Sequence, residues 1–241
     1  MSRPDLPSPE SSREQAAWLA AGRSRLLRRA QIATRRRVLD LGCGYGIVAA
    51  ELQRRSGGRV VGLDRRLDAL RATGWPAAVL RVCAAGHRLP FADRSFDLVL
   101  CQWTMLWLER PADAIAEVAR VLVPGGHFLV IEPDFGGLVE HPPEIATREL
   151  WLDGLGRAGA DPLVGRRLPG LLTAAGFGVR VDLLDRLEPP SALRLELLGE
   201  LPLTDDERSF LAAVRQADAA LDASAKVAHL PMFLITARCP V

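Results

Sequence analysis

Short apolar runs alternate with amphipathic stretches along most of this chain. Residues 37–41, 59–63, 78–82, 96–101 and 127–132 are strand-length runs dominated by Val, Leu, Ile and Phe. Residues 179–184 and 232–237 add a sixth and a seventh. Between them lie segments with helical spacing of apolar positions, beginning at Ile47-Val48-Ala49-Ala50. Ser11-Ser12-Arg13-Glu14 has the form of a capping box for a helix over 12–31, whose apolar side holds Trp18, Leu19, Leu26, Leu27 and Ala30. Thr204-Asp205-Asp206-Glu207 is a second capping box, for a helix over 205–222, and a short helix is expected over 145–156. Strand–helix alternation predicts a parallel sheet covered by helices on both faces. Ligands bind at the carboxyl ends of such strands. Asp40, Asp64, Ala85, Gln102 and Glu132 all fall at or near those ends, so one crevice should collect them.

The first strand leads into Asp40-Leu41-Gly42-Cys43-Gly44-Tyr45-Gly46. Glycine lets a strand turn sharply and lets the backbone approach a ligand. The second strand then ends on Asp64, close to the spacing of a ribose-binding acid. A dinucleotide fingerprint is GxGxxG, with a pyrophosphate at the helix N-terminus. Here the spacing is GxGxG, with Ile47 where the third glycine would stand. Asp40 would repel a pyrophosphate and suits an ammonium group. S-adenosylmethionine has a ribose, an amine and no phosphate, and is the expected cofactor ahead of a nicotinamide.

These motifs resemble the class I S-adenosylmethionine-dependent methyltransferases, in particular the small-molecule group related to the ubiquinone and menaquinone enzymes. The likeness is strong over residues 36–135. Leu89-Pro90-Phe91-Ala92-Asp93-Arg94-Ser95-Phe96-Asp97 is similar to the family's lead into its fourth strand. Glu117-Val118-Ala119-Arg120-Val121-Leu122-Val123-Pro124-Gly125-Gly126 is similar to its helix and turn before the fifth. The resemblance implies a Rossmann-like doubly wound α/β sheet of seven strands, mostly parallel with the last antiparallel, plus a helical lid. It implies an N-terminal helical cap over 1–35 and a cofactor-binding domain over 36–241, with lid segments 133–165 and 186–230. Cofactor contacts are expected from Asp40, Gly42, Cys43, Gly44, Gly46, Asp64, Arg65, Ala85, Gly86 and Gln102. Ala85 departs from the family, which has an acid there for the adenine amino group. Adenine would then rest on backbone near Ala85 and Gly86, with His87 nearby. Trp107 stands where the family often has a histidine.

The reaction implied is methyl transfer to a small-molecule acceptor, at O, N or C, in specialised metabolism. A methyltransferase-like binding partner with weak or no catalysis is the alternative. Proximity and orientation can supply roughly 7–11 kcal/mol of such a barrier, so a general base is optional. Glu132 and His141 are the candidate bases, followed by Asp134 and His229. Glu132 could instead orient the cofactor or cap a turn, and His229 reads as structural. Trp103, Met105, Leu106 and Trp107 follow the fourth strand. They read either as core or, with Phe135 and Trp151, as the wall of a site for a flat, lipophilic acceptor.

Composition narrows the picture further. The chain has 241 residues, 49% of them hydrophobic, and a net charge of +2, in keeping with one globular α/β domain and no expected nucleic-acid partner. No apolar run approaches the length of a membrane span and the first residues lack a signal-peptide core, so a cytoplasmic monomer or homodimer is expected. Cys43, Cys83, Cys101 and Cys239 show no metal spacing and read as small buried hydrophobes. No metal ligand set is expected. Arg23, Arg25, Arg28 and Arg29 read as a solvated helix face, with an anion site as the alternative.

Overall fold

A computed structural model describes residues 8–184 and 191–240. The start of the expected cap (residues 1–7) and residues 186–190 of the second lid segment lie outside the described residues. Nine strands and nine α-helices follow in chain order among the described residues. The strands are β1 (Arg37–Leu41), β2 (Arg59–Asp64), β3 (Leu80–Cys83), β4 (Phe96–Gln102), β5 (Leu122–Pro133), β6 (Val139–His141), β7 (Gly178–Leu183), β8 (Val227–His229) and β9 (Met232–Arg238). The helices are α1 (Pro9–Trp18), α2 (Ala20–Arg29), α3 (Ile47–Arg55), α4 (Leu67–Arg71), α5 (Pro111–Val121), α6 (Arg148–Arg157), α7 (Val164–Ala174), α8 (Leu193–Gly199) and α9 (Asp205–Ala220).

Seven strands form one sheet in the order β3-β2-β1-β4-β5-β9-β7. The pairs among β1 to β5 are parallel, and β9 runs antiparallel to both neighbours, β5 and β7. The sheet is therefore the mixed, Rossmann-like one expected. Val38, Leu39, Leu98, Val99, Leu100, Phe128, Leu129 and Val130 are all fully buried, as strands covered on both faces require. Strand order reverses between β1 and β4, and a crevice opens at their carboxyl ends at such a switch point.

Several details differ from the sequence reading. The expected helix over 12–31 is two helices meeting at Leu19, whose side chain is fully buried. Its N-cap is Ser8, which accepts from the Ser11 amide at 3.1 Å with Pro9 opening the helix, so Ser11 and Glu14 form no box. β5 starts at Leu122, with its register slipping against β4 across the Pro124-Gly125-Gly126 stretch. The segment 164–174 folds as α7 despite Pro169 in its interior. A proline there removes one hydrogen bond, yet Val164, Leu168 and Leu172 supply a fully buried apolar stripe. The small antiparallel ribbon of β6 and β8 had no sequence signal, because three-residue strands carry no measurable alternation. The box of Thr204 and Glu207 on α9 has both its hydrogen bonds, at 3.3 and 2.7 Å. Cys83 is exposed on edge strand β3, against its reading as a buried hydrophobe, while Cys43 and Cys101 are buried.

Candidate active site

The glycine loop turns under Thr104. Gly42 has φ of +75°, and a side chain there would overlap the Thr104 hydroxyl, so glycine is required twice over. Gly44 also has positive φ, and an added Cβ would meet nothing within 4 Å. It is the bare floor of an open space. Gly46 then caps α3. Asp64 holds the loop from the side: its Oδ2 accepts from the Gly44 amide at 2.9 Å and its Oδ1 from the Arg66 amide at 2.9 Å.

A cavity of about 130 Å³ stands on this loop. Its walls include Asp40, Gly42, Cys43, Gly44, Gln102 and Trp107. Asp40 is 2% exposed, and its Oδ2 is buried without a hydrogen-bond partner among the described residues. Burial pushes its pKa up to about 7, against the attraction of the Arg23 guanidinium; Asp64 beside it adds to the rise. A buried carboxylate oxygen without a donor fits an incoming ammonium group. Burial and the neighbouring carboxylates likewise raise the Cys43 thiol, so it stays protonated.

Other expected contacts are arranged differently. Asp64, Arg65, Ala85 and Gly86 lie along the same edge of the sheet, outside the wall of this cavity. Arg65 is exposed. Gln102 lines the cavity and accepts from Arg23 Nη1 at 3.0 Å. Arg23 itself is 4% exposed and pairs with Glu51 at 2.6 Å, which corrects the solvated-face reading of that arginine. It ties α2 to α3 and β4 beside the loop. Its position one turn before Leu26 and Leu27 on the buried face was the available signal.

A second cavity, of about 430 Å³, adjoins the first. Gln15, Trp103, Trp151 and Leu197 line both. Trp103 has φ of +53°, an uncommon conformation for a bulky residue, and it sits at the partition. Its ring meets Phe135 edge-on at 6.0 Å, and Phe135 stacks on Trp151 at 4.7 Å. Trp18 of α1 closes the aromatic wall. Of the six expected wall residues, Trp103, Phe135 and Trp151 are found here and Trp107 lines the first cavity. Met105 and Leu106 are fully buried in the core. Gln15 and Trp18, one helical turn apart on α1, escaped the sequence reading because nothing local shows which face of a short N-terminal helix meets the sheet's open end.

Of the candidate bases only His229 lines a cavity; Glu132, Asp134 and His141 line neither. Glu132 is fully buried and lines neither cavity. Its Oε1 accepts from the amides of Thr104 at 2.7 Å and Met105 at 2.8 Å, so it caps the turn after β4. Burial pushes its pKa up to about 7, partly offset by those amides. Asp134 is bound to Arg166 at 2.8 Å. Val139 pairs with His229 and His141 with Val227, which puts all four on one face of the β6–β8 ribbon. Val139 and Val227 are exposed there, and His141 is exposed beside them. Glu140, on the opposite face, and His229 both line the second cavity, while His141 lines neither cavity.

This fold, with its glycine loop, acid-tipped second strand and orphaned carboxylate at the switch point, is Rossmann-like. Residues 39–130 match the family described as a methyltransferase domain. The chain is 39% identical over 110 residues to a demethylmenaquinone methyltransferase of Corynebacterium urealyticum, covering 46% of this chain and 47% of that one. The chain spans about half or less of the length of the curated relatives it matches. Among solved structures, YcgJ of Bacillus subtilis superposes with a TM-score of 0.68 at 18% identity, covering 92% of this chain and 99% of that one. A phosphoethanolamine N-methyltransferase of Haemonchus contortus, solved with S-adenosylmethionine, has a TM-score of 0.60 at 17% identity, covering 92% and 53%. These structural likenesses establish the fold. No described helix is long and apolar enough to cross a membrane.

Proposed function

We propose that the protein transfers a methyl group from S-adenosylmethionine to a small, flat, lipophilic acceptor by in-line displacement. The observation that carries this reading is the adjacency of two unlike cavities. One stands on the glycine loop with the unpartnered Asp40 oxygen in its wall; the other is walled by aromatic rings. The cofactor supplies an activated sulfonium methyl when bound. Asp40 would take its ammonium group, the Gly42–Gly46 backbone would pass under its methionine part, and Asp64 would receive the ribose with its remaining lone pairs. Trp103 and Trp151 would hold the acceptor against the shared wall and keep water out.

Glu132 has a supporting role in this reading: it fixes the turn that carries Thr104, and Thr104 in turn packs on Gly42. A calorimetric titration with S-adenosylhomocysteine, with NADH as control, tests the donor site. Micromolar binding of the former alone supports it; binding of NADH alone would overturn it. A cofactor-binding partner without turnover is the second reading. It draws on Ala85 in the adenine position and on the occupation of both Asp64 oxygens by amides. Absence of labelled product with any acceptor, despite tight donor binding, would favour it.

A further inference from the structure

The walls of the two cavities are rich in acids. Asp40 and Glu200 stand on the donor side, with Tyr45 and Cys43; Glu14 and Glu140 stand on the acceptor side, with Arg194 and His229. Arg194 is the one guanidinium in either wall among the described residues, and its charge is answered. It contacts Glu140 at 3.3 Å and Asp218 at 2.6 Å, and Lys226 takes the other Asp218 oxygen at 2.9 Å. Glu140 also accepts from Thr147 and Arg148, so that cluster is close to neutral, with Arg194 Nε its one buried atom left without a partner among the described residues. What remains for a ligand on the acceptor side is the Glu14 carboxylate beside Trp18, Trp103, Phe135 and Trp151. Aromatic faces attract cations, and more strongly when water is excluded.

The junction itself offers one polar side chain. Gln15 lines both cavities, and its amide has no hydrogen-bond partner among the described residues. The other three shared wall residues are Trp103, Trp151 and Leu197, and the Trp103 indole N–H is buried without a partner among the described residues. An acceptor atom here meets a neutral amide in an aromatic surround with Glu14 as its unanswered carboxylate. That combination suits an amine better than a hydroxyl, which would need a base at the junction, and better than an acid, which the carboxylates would repel.

We propose that the acceptor is a lipophilic primary or secondary amine and that Gln15 is the residue that positions it. This rests on the methyl-transfer reading above. The Gln15 carbonyl accepts the amine N–H, which turns the nitrogen lone pair towards the donor cavity. The amine arrives as its ammonium ion and first gives one proton to water; the freed lone pair forms the new N–C bond, the methyl–sulfur bond breaks with its electrons left on sulfur, and the methylated product is an ammonium ion. Positive charge thus moves from the donor side into the aromatic cage, where the ring faces and Glu14 stabilise it.

Three isosteric probes differing in charge test this: 1-naphthylmethylamine, 1-naphthalenemethanol and 1-naphthoic acid, each titrated calorimetrically into the full chain with and without S-adenosylhomocysteine. The amine should bind at least about tenfold more tightly than the alcohol, with the acid weakest. Gln15→Lys should reverse the order of amine and acid, and Gln15→Ala should shrink the gap between amine and alcohol. Mass spectrometry with S-adenosylmethionine should show the amine alone gaining a methyl group. Equal or tighter binding of the alcohol or acid, or an equal loss for all three probes in Gln15→Lys, would overturn the proposal. If S-adenosylhomocysteine binds and none of the probes does, the acceptor assignment falls and the donor site stands. If the amine binds and S-adenosylhomocysteine does not, the donor reading falls and the cavity remains an amine site.

Discussion

Glu132 Oε1 lies 2.7 Å from the Thr104 amide, and this one contact links the buried end of β5 to the glycine loop. Thr104 is the residue whose hydroxyl leaves no room for a side chain at Gly42. A carboxyl group with no access to either cavity therefore shapes the floor of the donor site.

Glu132→Gln keeps an oxygen for the Thr104 and Met105 amides, so turnover and donor affinity should stay within about threefold of the parent, while Glu132→Ala leaves both amides unpaired and should cost about 3 kcal/mol or more. Chemical denaturation and a turnover assay check both. A folded Glu132→Gln protein without turnover would restore the base role. The native carboxyl holds its proton up to about pH 7, above its ordinary value of 4.5. Its contribution to stability is full below the ordinary value and is lost as pH rises through the native one. The parent should therefore lose stability relative to Glu132→Gln between about pH 5 and 8.

Donor binding should release protons. Asp40 titrates near pH 7 because it is buried, and an ammonium group against its free oxygen would lower that value. At pH 7 binding of S-adenosylhomocysteine should release up to about half a proton from Asp40, and affinity should climb with pH up to about 8. Titrations in buffers of different ionisation enthalpy measure the release. No release, or proton uptake, would separate Asp40 from the ammonium group.

Asp64→Ala removes the acceptor for the Gly44 and Arg66 amides together with the expected ribose partner. Affinity for S-adenosylhomocysteine should fall about 10- to 100-fold, with Asp64→Asn in between. Unchanged affinity in the alanine variant would reject the ribose assignment.

Gly42→Ala meets both a positive φ and the Thr104 side chain. It should destabilise by more than about 2 kcal/mol, and adding Thr104→Ala should recover part of the loss, leaving the backbone strain of about 1 kcal/mol and the overlap with the Cβ of residue 104 at 2.7 Å. Thermal melts of the two single variants and the double variant give the coupling. Strict additivity would show that the clash is not what fixes this glycine.

The sequence by itself determined the sheet, the glycine loop and the acid at the end of β2. Those features are local: periodicity in strands, glycine spacing at a turn, a carboxylate at a fixed distance along the chain. They marked the donor side, and the strands expected from the pattern lie within a few residues of those observed, apart from the earlier start of β5. The acceptor side was decided by tertiary structure. Gln15 and Trp18 on α1, Trp103 after β4, Trp151 on α6 and Leu197 on α8 meet only because helices far apart in sequence close over one strand end. Burial also settled the roles that residue type left open. Glu132 became a cap because β5 is covered by β4 and β9 and its carboxyl points to the turn beside it. His141 went outward because pairing with Val227 fixed which face of a two-stranded ribbon it shares. A side chain's chemistry is written in the sequence; which other groups it faces depends on packing between distant elements, and no local pattern encodes that.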